Sequence, residues 1–222
     1  MKSEQTRQRI LAAALVLFRE KGFAATTMRE VAAAAGMATG AAYYYFDSKE
    51  AIVLAFYDRA REELAPLLDE ALGGAGAERR KGKLEERLQA LVRVKLSYFG
   101  PNRNFLGALL GSTADPQNPL SPFSAQTAAI RDFDIATFER AIAGGDVEPP
   151  KDLAPYLARM LWMYQMAVIF FWLTDRSEKQ ARTGKLLDHS SRMLVQLLKL
   201  SKLPLMRPLR RSVLDLVELV VN

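Results

Sequence analysis

The chain has 222 residues, half of them hydrophobic, and a net charge of +6. It has no cysteine and a single histidine, His189, which excludes disulfides, thiolate metal sites, cysteine nucleophiles and any multi-histidine metal centre. The basic balance, with a pI of about 9.6, suits a polyanionic partner, but the first 50 residues hold seven basic against five acidic side chains, so bulk charge does not locate the surface involved.

Helical periodicity runs through almost every segment, and no window sustains the alternation of a strand. A first helix is predicted over residues 3–20. Its apolar stripe is Ile10, Leu11, Ala14, Leu15, Leu17 and Phe18, and Lys21-Gly22 ends it. Thr27-Met-Arg-Glu30 is a capping box, in which hydroxyl and carboxylate satisfy each other's free backbone N–H groups. A second helix continues through Val31 and the alanines to Gly36, which permits a sharp turn. A short helix follows over 39–45, and Asp47-Ser48 caps the next, predicted over 49–72. The glycines at 73, 74 and 76 read as a linker, followed by a charged segment over 78–83. Further helices are predicted over 84–99, up to 112 from a cap at Asn102 or Asn104, and over 124–143, with a proline-rich loop at 115–122. Asp152 is expected to cap an apolar helix ending near 173, and Ser177 one that runs to 202. Pro204 and Pro208 interrupt the last segment, whose amphipathic face includes Val213, Leu216, Val217 and Val220. The most apolar run, 160–173, is broken by Gln165 and shorter than the ~20 residues of a membrane span. It reads as a buried helix, and no membrane partner is expected. Met1 to Arg9 is polar with no apolar core behind it, so no secretory signal is expected and the location is read as cytoplasmic.

Residues 26–49 carry the functional signal. Two short helices joined by a tight turn are the form in which a small helical unit offers one face to the DNA major groove. Tyr43, Tyr44 and Tyr45 point about 100° apart, so they cannot all be core. Ala42 and Phe46 share a face, placed inward against Phe18 and Val31; this leaves Tyr44 outward and Tyr43 and Tyr45 at the margins. Phenolic hydroxyls can donate to phosphate, and their rings can pack on sugars and thymine methyls. The start of the same helix, Ala38-Thr39-Gly40-Ala41, is stripped of bulk, so its backbone can lie close to base edges. Thr27, Arg29 and Lys49 flank this surface at helix starts, placed for phosphate.

In these residues the N-terminus resembles the DNA-binding domain of the tetracycline-repressor (TetR) family. The match rests on the Ile10–Phe18 stripe, Gly22-Phe23, Thr26-Thr27-Met28-Arg29-Glu30-Val31-Ala32, Ala35-Gly36-Met37, Gly40, Tyr43-Tyr44-Tyr45-Phe46 and Ser48-Lys49, without gaps. The resemblance implicates Thr27, Arg29, Thr39, Gly40, Ala41, Tyr43, Tyr44, Tyr45 and Lys49 in DNA binding. One departure is Ala38, where the family usually has Ser or Thr. Alanine cannot cap, so Thr39 is expected to do so, at the expense of reading a base.

The resemblance further implies an all-α chain, in which a three-helix helix-turn-helix domain over 1–49 precedes a larger helical ligand-binding and dimerisation domain over 50–222. The implied partners are double-stranded operator DNA, a small-molecule effector and a second copy of the chain. The residues support the body in part, because the segments 155–173 and 186–200 are apolar enough to bury a core and an interface. Phe99, Phe105, Phe123, Trp162, Met163 and Met166, with Tyr98 and Phe133, are candidates to line a pocket for an apolar or amphipathic ligand. No cofactor, metal site or catalytic residue is expected, and His189 is assigned no role. The function read from the sequence is a ligand-responsive transcriptional regulator, a repressor in preference to an activator. The alternative is a non-catalytic helical carrier of an apolar ligand with a structural N-terminal cap.

Overall fold

The computed structural model describes residues 2–74, 82–113 and 115–221. Residues 78–81 of the expected charged segment and part of the glycine linker lie outside the described residues, as do the side chains of Val217 and Val220. Among the described residues the chain forms α-helices and 3-10 turns, with one isolated bridge between Gly82 and Gly145 and no strand. The fold is all-α, with an N-terminal helix-turn-helix followed by a helical C-terminal part. The helices are α1 (Lys2–Lys21), α2 (Met28–Ala34), α3 (Thr39–Tyr45), α4 (Lys49–Ala71), α5 (Leu84–Phe99), α6 (Arg103–Thr113), α7 (Ala128–Ala143), α8 (Ala154–Thr174), α9 (Ala181–Leu200) and α10 (Arg207–Val221).

Two compact units divide the chain, one made of residues 2–64 with 98–131 and the other of 65–97 with 132–221. In the first unit the α1 stripe is buried at Ile10, Leu11, Ala14, Leu15 and Phe18, together with Met28, Val31, Ala32, Ala42, Phe46, Ile52 and Phe56. Phe105 and Leu109 of α6 belong to this same core. The Phe105 ring stacks on Phe18 at 5.2 Å and meets Phe56 edge-on at 6.3 Å. Burial of rings of this size is worth about 2–3 kcal/mol each, so α6 is held by aromatic packing and not by sequence proximity.

Several local expectations change. Helix α6 starts directly from a 3-10 turn, Gly100–Asn102. Helix α7 begins at Ala128 and not near 124, because residues 121–127 are occupied by a turn in which the Thr127 hydroxyl donates to Ser121 O at 2.7 Å. Asp152 does not cap α8: Leu153 holds that position, and the Asp152 carboxylate accepts from Arg210 Nε at 2.9 Å. Pro208 does not break the last helix but sits in the first turn of α10, where a missing N–H costs nothing. Helix α8 has 21 residues and is long and apolar enough to cross a membrane by length and composition. Within the second unit it buries Leu157, Ala158, Leu161, Trp162, Gln165, Val168 and Trp172.

The start of α9 is set by Asp175, a residue that no sequence motif marks. Its carboxylate accepts from Ser177 N and Oγ and from Thr183 N and Oγ1 at 2.8–2.9 Å. Burial pushes the Asp175 carboxyl up, but these donors outweigh it and hold it well below the usual carboxylate range. The same turn carries Lys179 and Gln180 in the left-handed region, at φ 50° and 53°.

Candidate nucleic-acid interface

The capping box forms as its spacing requires. Glu30 N donates to Thr27 Oγ1 at 3.3 Å, and Thr27 N donates to Glu30 Oε2 at 2.9 Å. Lys21 adds an ion pair to Glu30 at 2.5 Å. The hydrogen bond from Lys21, with those from Thr27, lowers the Glu30 pKa to about 2. At the other end of α2, Gly36 takes φ +68°, and Met37 N returns to Ala32 O at 3.0 Å. That left-handed glycine closes the helix and reverses the chain. Ser48 Oγ accepts from Ala51 N at 3.2 Å and caps α4. Both ends of α2 and the start of α4 are therefore fixed by local chemistry, and α2, α3 and α4 share a common core.

Helix α3 shows the division of faces that its sequence implies. Ala42 and Phe46 are buried in the cluster that holds Phe18 and Val31. Tyr44 is 83% exposed and Tyr43 47%, while Tyr45 is half-buried. Tyr44 and Tyr45 meet edge to face at 5.2 Å, which props the outer ring on its neighbour. Gly40 and Ala41 are exposed and Thr39 is half-exposed. A Cβ built on Gly40 would meet nothing within 4 Å, so no internal packing requires a glycine there. The result is a face bare of bulk at its N-terminal end and phenolic at its C-terminal end.

Thr39 is not the cap. Ala38 is in the cap position, with no side-chain bond, and Thr39 is the first helical residue. Its hydroxyl is therefore not spent on the backbone. The flanking residues differ more from expectation. The Thr27 hydroxyl donates to Glu30 Oε2 at 3.0 Å, so its proton is already committed. Lys49 Nζ donates to Phe23 O at 2.7 Å and lies 4.7 Å from the centre of the Phe23 ring. It ties down the α1–α2 turn, with a further ammonium N–H left over. Arg29 is exposed and carries no partner among the described residues. Sequence reasoning missed Arg7, whose guanidinium lies 4.9 Å from the Phe46 ring centre. Only the tertiary pairing of α1 with the end of α3 brings it there.

Of the six candidate ligand-lining residues, Phe99, Phe105 and Phe123 belong to the first unit and Trp162, Met163 and Met166 to the second. Phe105 is core of the first unit, 1% exposed and stacked on Phe18. Phe99 packs edge-on against Phe56 in the same cluster, and Phe123 is 43% exposed. Trp162, Met163 and Met166 lie on α8 of the second unit, Trp162 buried and the methionines half-buried.

Comparison with known proteins agrees with this geometry. Residues 10–56 match the family described as bacterial regulatory proteins, tetR family. Residues 87–219 match the tetracyclin repressor-like C-terminal domain. The chain belongs to the TetR family. It is 27% identical over 193 residues to the HTH-type transcriptional repressor KstR of Mycolicibacterium smegmatis, covering 86% of this chain and 87% of that one. It is 30% identical over 117 residues to the HTH-type transcriptional regulator YerO of Bacillus subtilis, a match over 51% of this chain but only 38% of that protein's length. A tetR-family transcriptional regulator from Streptomyces coelicolor has the same fold, with a TM-score of 0.64 at 22% identity, over 96% of this chain and 89% of that one. This TetR-family chain is thus a DNA-binding transcriptional regulator.

Proposed function

We propose that this regulator acts as a cytoplasmic homodimeric repressor, released from its operator by a small apolar or amphipathic effector. The observation that carries the reading is the two-faced α3: Ala42 and Phe46 anchor it inward, while Thr39, Gly40, Ala41, Tyr43 and Tyr44 face out. In this account α3 lies in the major groove. Tyr43, Tyr44 and Tyr45 with Arg29 and Lys49 hold the phosphates, and Thr39, Gly40 and Ala41 approach the base edges. Repression is favoured by the likeness to KstR, itself named a repressor.

A second copy accounts for apolar surface on the C-terminal unit. Phe171 of α8 is 38% exposed, and Met193, Leu197 and Leu200 recur along α9 at 57%, 51% and 49% exposure. A row of this kind on one helix face is an association surface in a soluble chain. Two copies would present two reading helices to half-sites about 34–36 Å apart, one turn of duplex. An effector held in the body, with Trp162, Met163 and Met166 against it, would shift the population toward conformers in which that separation no longer fits. On this reading the functional division is 1–49 for DNA and 50–222 for effector and partner.

The test is selection of genomic fragments by the purified chain, followed by binding in the presence of excess competitor DNA. The proposal requires enriched fragments with paired half-sites, bound by two protomers. Retention of all fragments alike would refute it.

A further inference from the structure

Three helices of the C-terminal unit each bring one polar side chain to the same buried point. Lys95 of α5, Asp134 of α7 and Gln165 of α8 are 3%, 8% and 0% exposed. Asp134 Oδ1 pairs with Lys95 Nζ at 2.6 Å, and Oδ2 accepts from Gln165 Nε2 at 3.0 Å. Both carboxylate oxygens are then engaged, but the cluster is not closed. The Lys95 ammonium has three donors and uses one among the described residues. Gln165 Oε1 is fully buried and has no partner. Turning the amide over would not help, because its carbonyl would then face the Asp134 carboxylate. Burial pulls Lys95 below the usual lysine range, with the Asp134 charge opposing.

Buried apolar residues flank each member along its own helix. Trp162 and Val168 lie one turn on either side of Gln165, Leu91 and Val92 one turn before Lys95, and Phe138 one turn after Asp134; all five are buried. Buried polar groups in proteins are as a rule satisfied, so an orphaned acceptor beside spare donors calls for a group that can complete both.

We infer that this triad is the polar anchor of the effector site, and that the effector is an apolar molecule carrying one neutral group that donates and accepts at once, a hydroxyl being the smallest. The inference rests on the ligand-responsive reading above. A hydroxyl donates to Gln165 Oε1 and accepts from Lys95 Nζ, completing both. A carboxylate satisfies Lys95 but has no proton for Gln165 and adds a second anion beside Asp134. An ammonium can donate to Gln165 but is repelled by Lys95. An ether accepts only.

Binding of 1-decanol, decyl methyl ether and decanoate to the full chain, measured by calorimetry, tests this. The alcohol should bind at least about tenfold more tightly than either analogue, the scale of one satisfied buried hydrogen bond. Gln165→Leu, with Gln165→Met as a second variant, should abolish that preference while leaving residual apolar binding. A role confined to holding the helices together would lower stability without changing the ratio of alcohol to ether. Equal affinities for alcohol and ether, tighter binding of decanoate, or no binding of any of the three by the wild-type chain would overturn the inference. Binding of decanol that leaves the affinity for selected DNA unchanged would support the anchor and refute effector-controlled release, so the two readings fail separately.

Discussion

Gly40→Ala separates packing from function at the proposed reading face. Gly40 has helical backbone in the first turn of α3, and a Cβ there would touch nothing within 4 Å. The substitution therefore meets no steric cost, and alanine is favoured by roughly 0.5–1 kcal/mol over glycine in a helix. Urea unfolding followed by circular dichroism should show a variant as stable as wild type or more so. DNA binding should move the other way. A methyl group inserted where the backbone lies against base edges displaces the helix. Removing one interaction with a base costs about 1–3 kcal/mol, roughly a 5- to 150-fold weakening. Fluorescence anisotropy with a selected fragment would measure it. A more stable variant with wild-type affinity would refute the close approach of Gly40 to the duplex.

Other outcomes follow from the same structure. Phe105→Ala should destabilise the first unit by about 3–5 kcal/mol and raise hydrogen exchange in α1 and α4, because the deleted ring stacks on Phe18 and meets Phe56 edge-on; exchange unchanged in α1 would place α6 outside that core. Thr27→Ala should cost about 1 kcal/mol through removal of the cap. The depressed Glu30 pKa makes its contribution complete above the ordinary value of 4.5 and lost as pH falls toward about 2. Acid titration of stability should thus be shallower in Glu30→Gln over that window, and an identical slope would remove the carboxylate from the account. Lys49→Met should lower the salt dependence of DNA binding by about one phosphate charge; an unchanged slope would leave Lys49 only its bonds to the Phe23 and Ala24 carbonyls.

The parts of this molecule legible in the sequence are those set by local chemistry. The capping box at Thr27–Glu30, the Gly36 turn, the Ser48 cap and the inward pair Ala42/Phe46 depend on residues within one or two turns of each other. Errors began where a side chain answered to a distant partner. Asp152 has the composition of a cap, but Arg210 claims it. Lys49 is placed for phosphate by its position, and its sequence does not show that it also bonds the carbonyls of the α1–α2 turn. Aromatic periodicity likewise cannot say which core the Phe105 ring joins, and the structure puts it with Phe18 and Phe56. The Lys95–Asp134–Gln165 cluster is invisible in sequence, since its members lie on three helices and none has a motif.

The most direct measurement is the affinity of Tyr44→Ala for a selected fragment, set beside its oligomeric state by sedimentation. Tyr44 is 83% exposed, so its removal should leave folding and assembly intact. The account predicts DNA binding weakened about tenfold or more, the scale of a single interaction with phosphate or base, with mass in solution unchanged. Wild-type affinity in an intact variant would contradict the placement of α3 against the duplex.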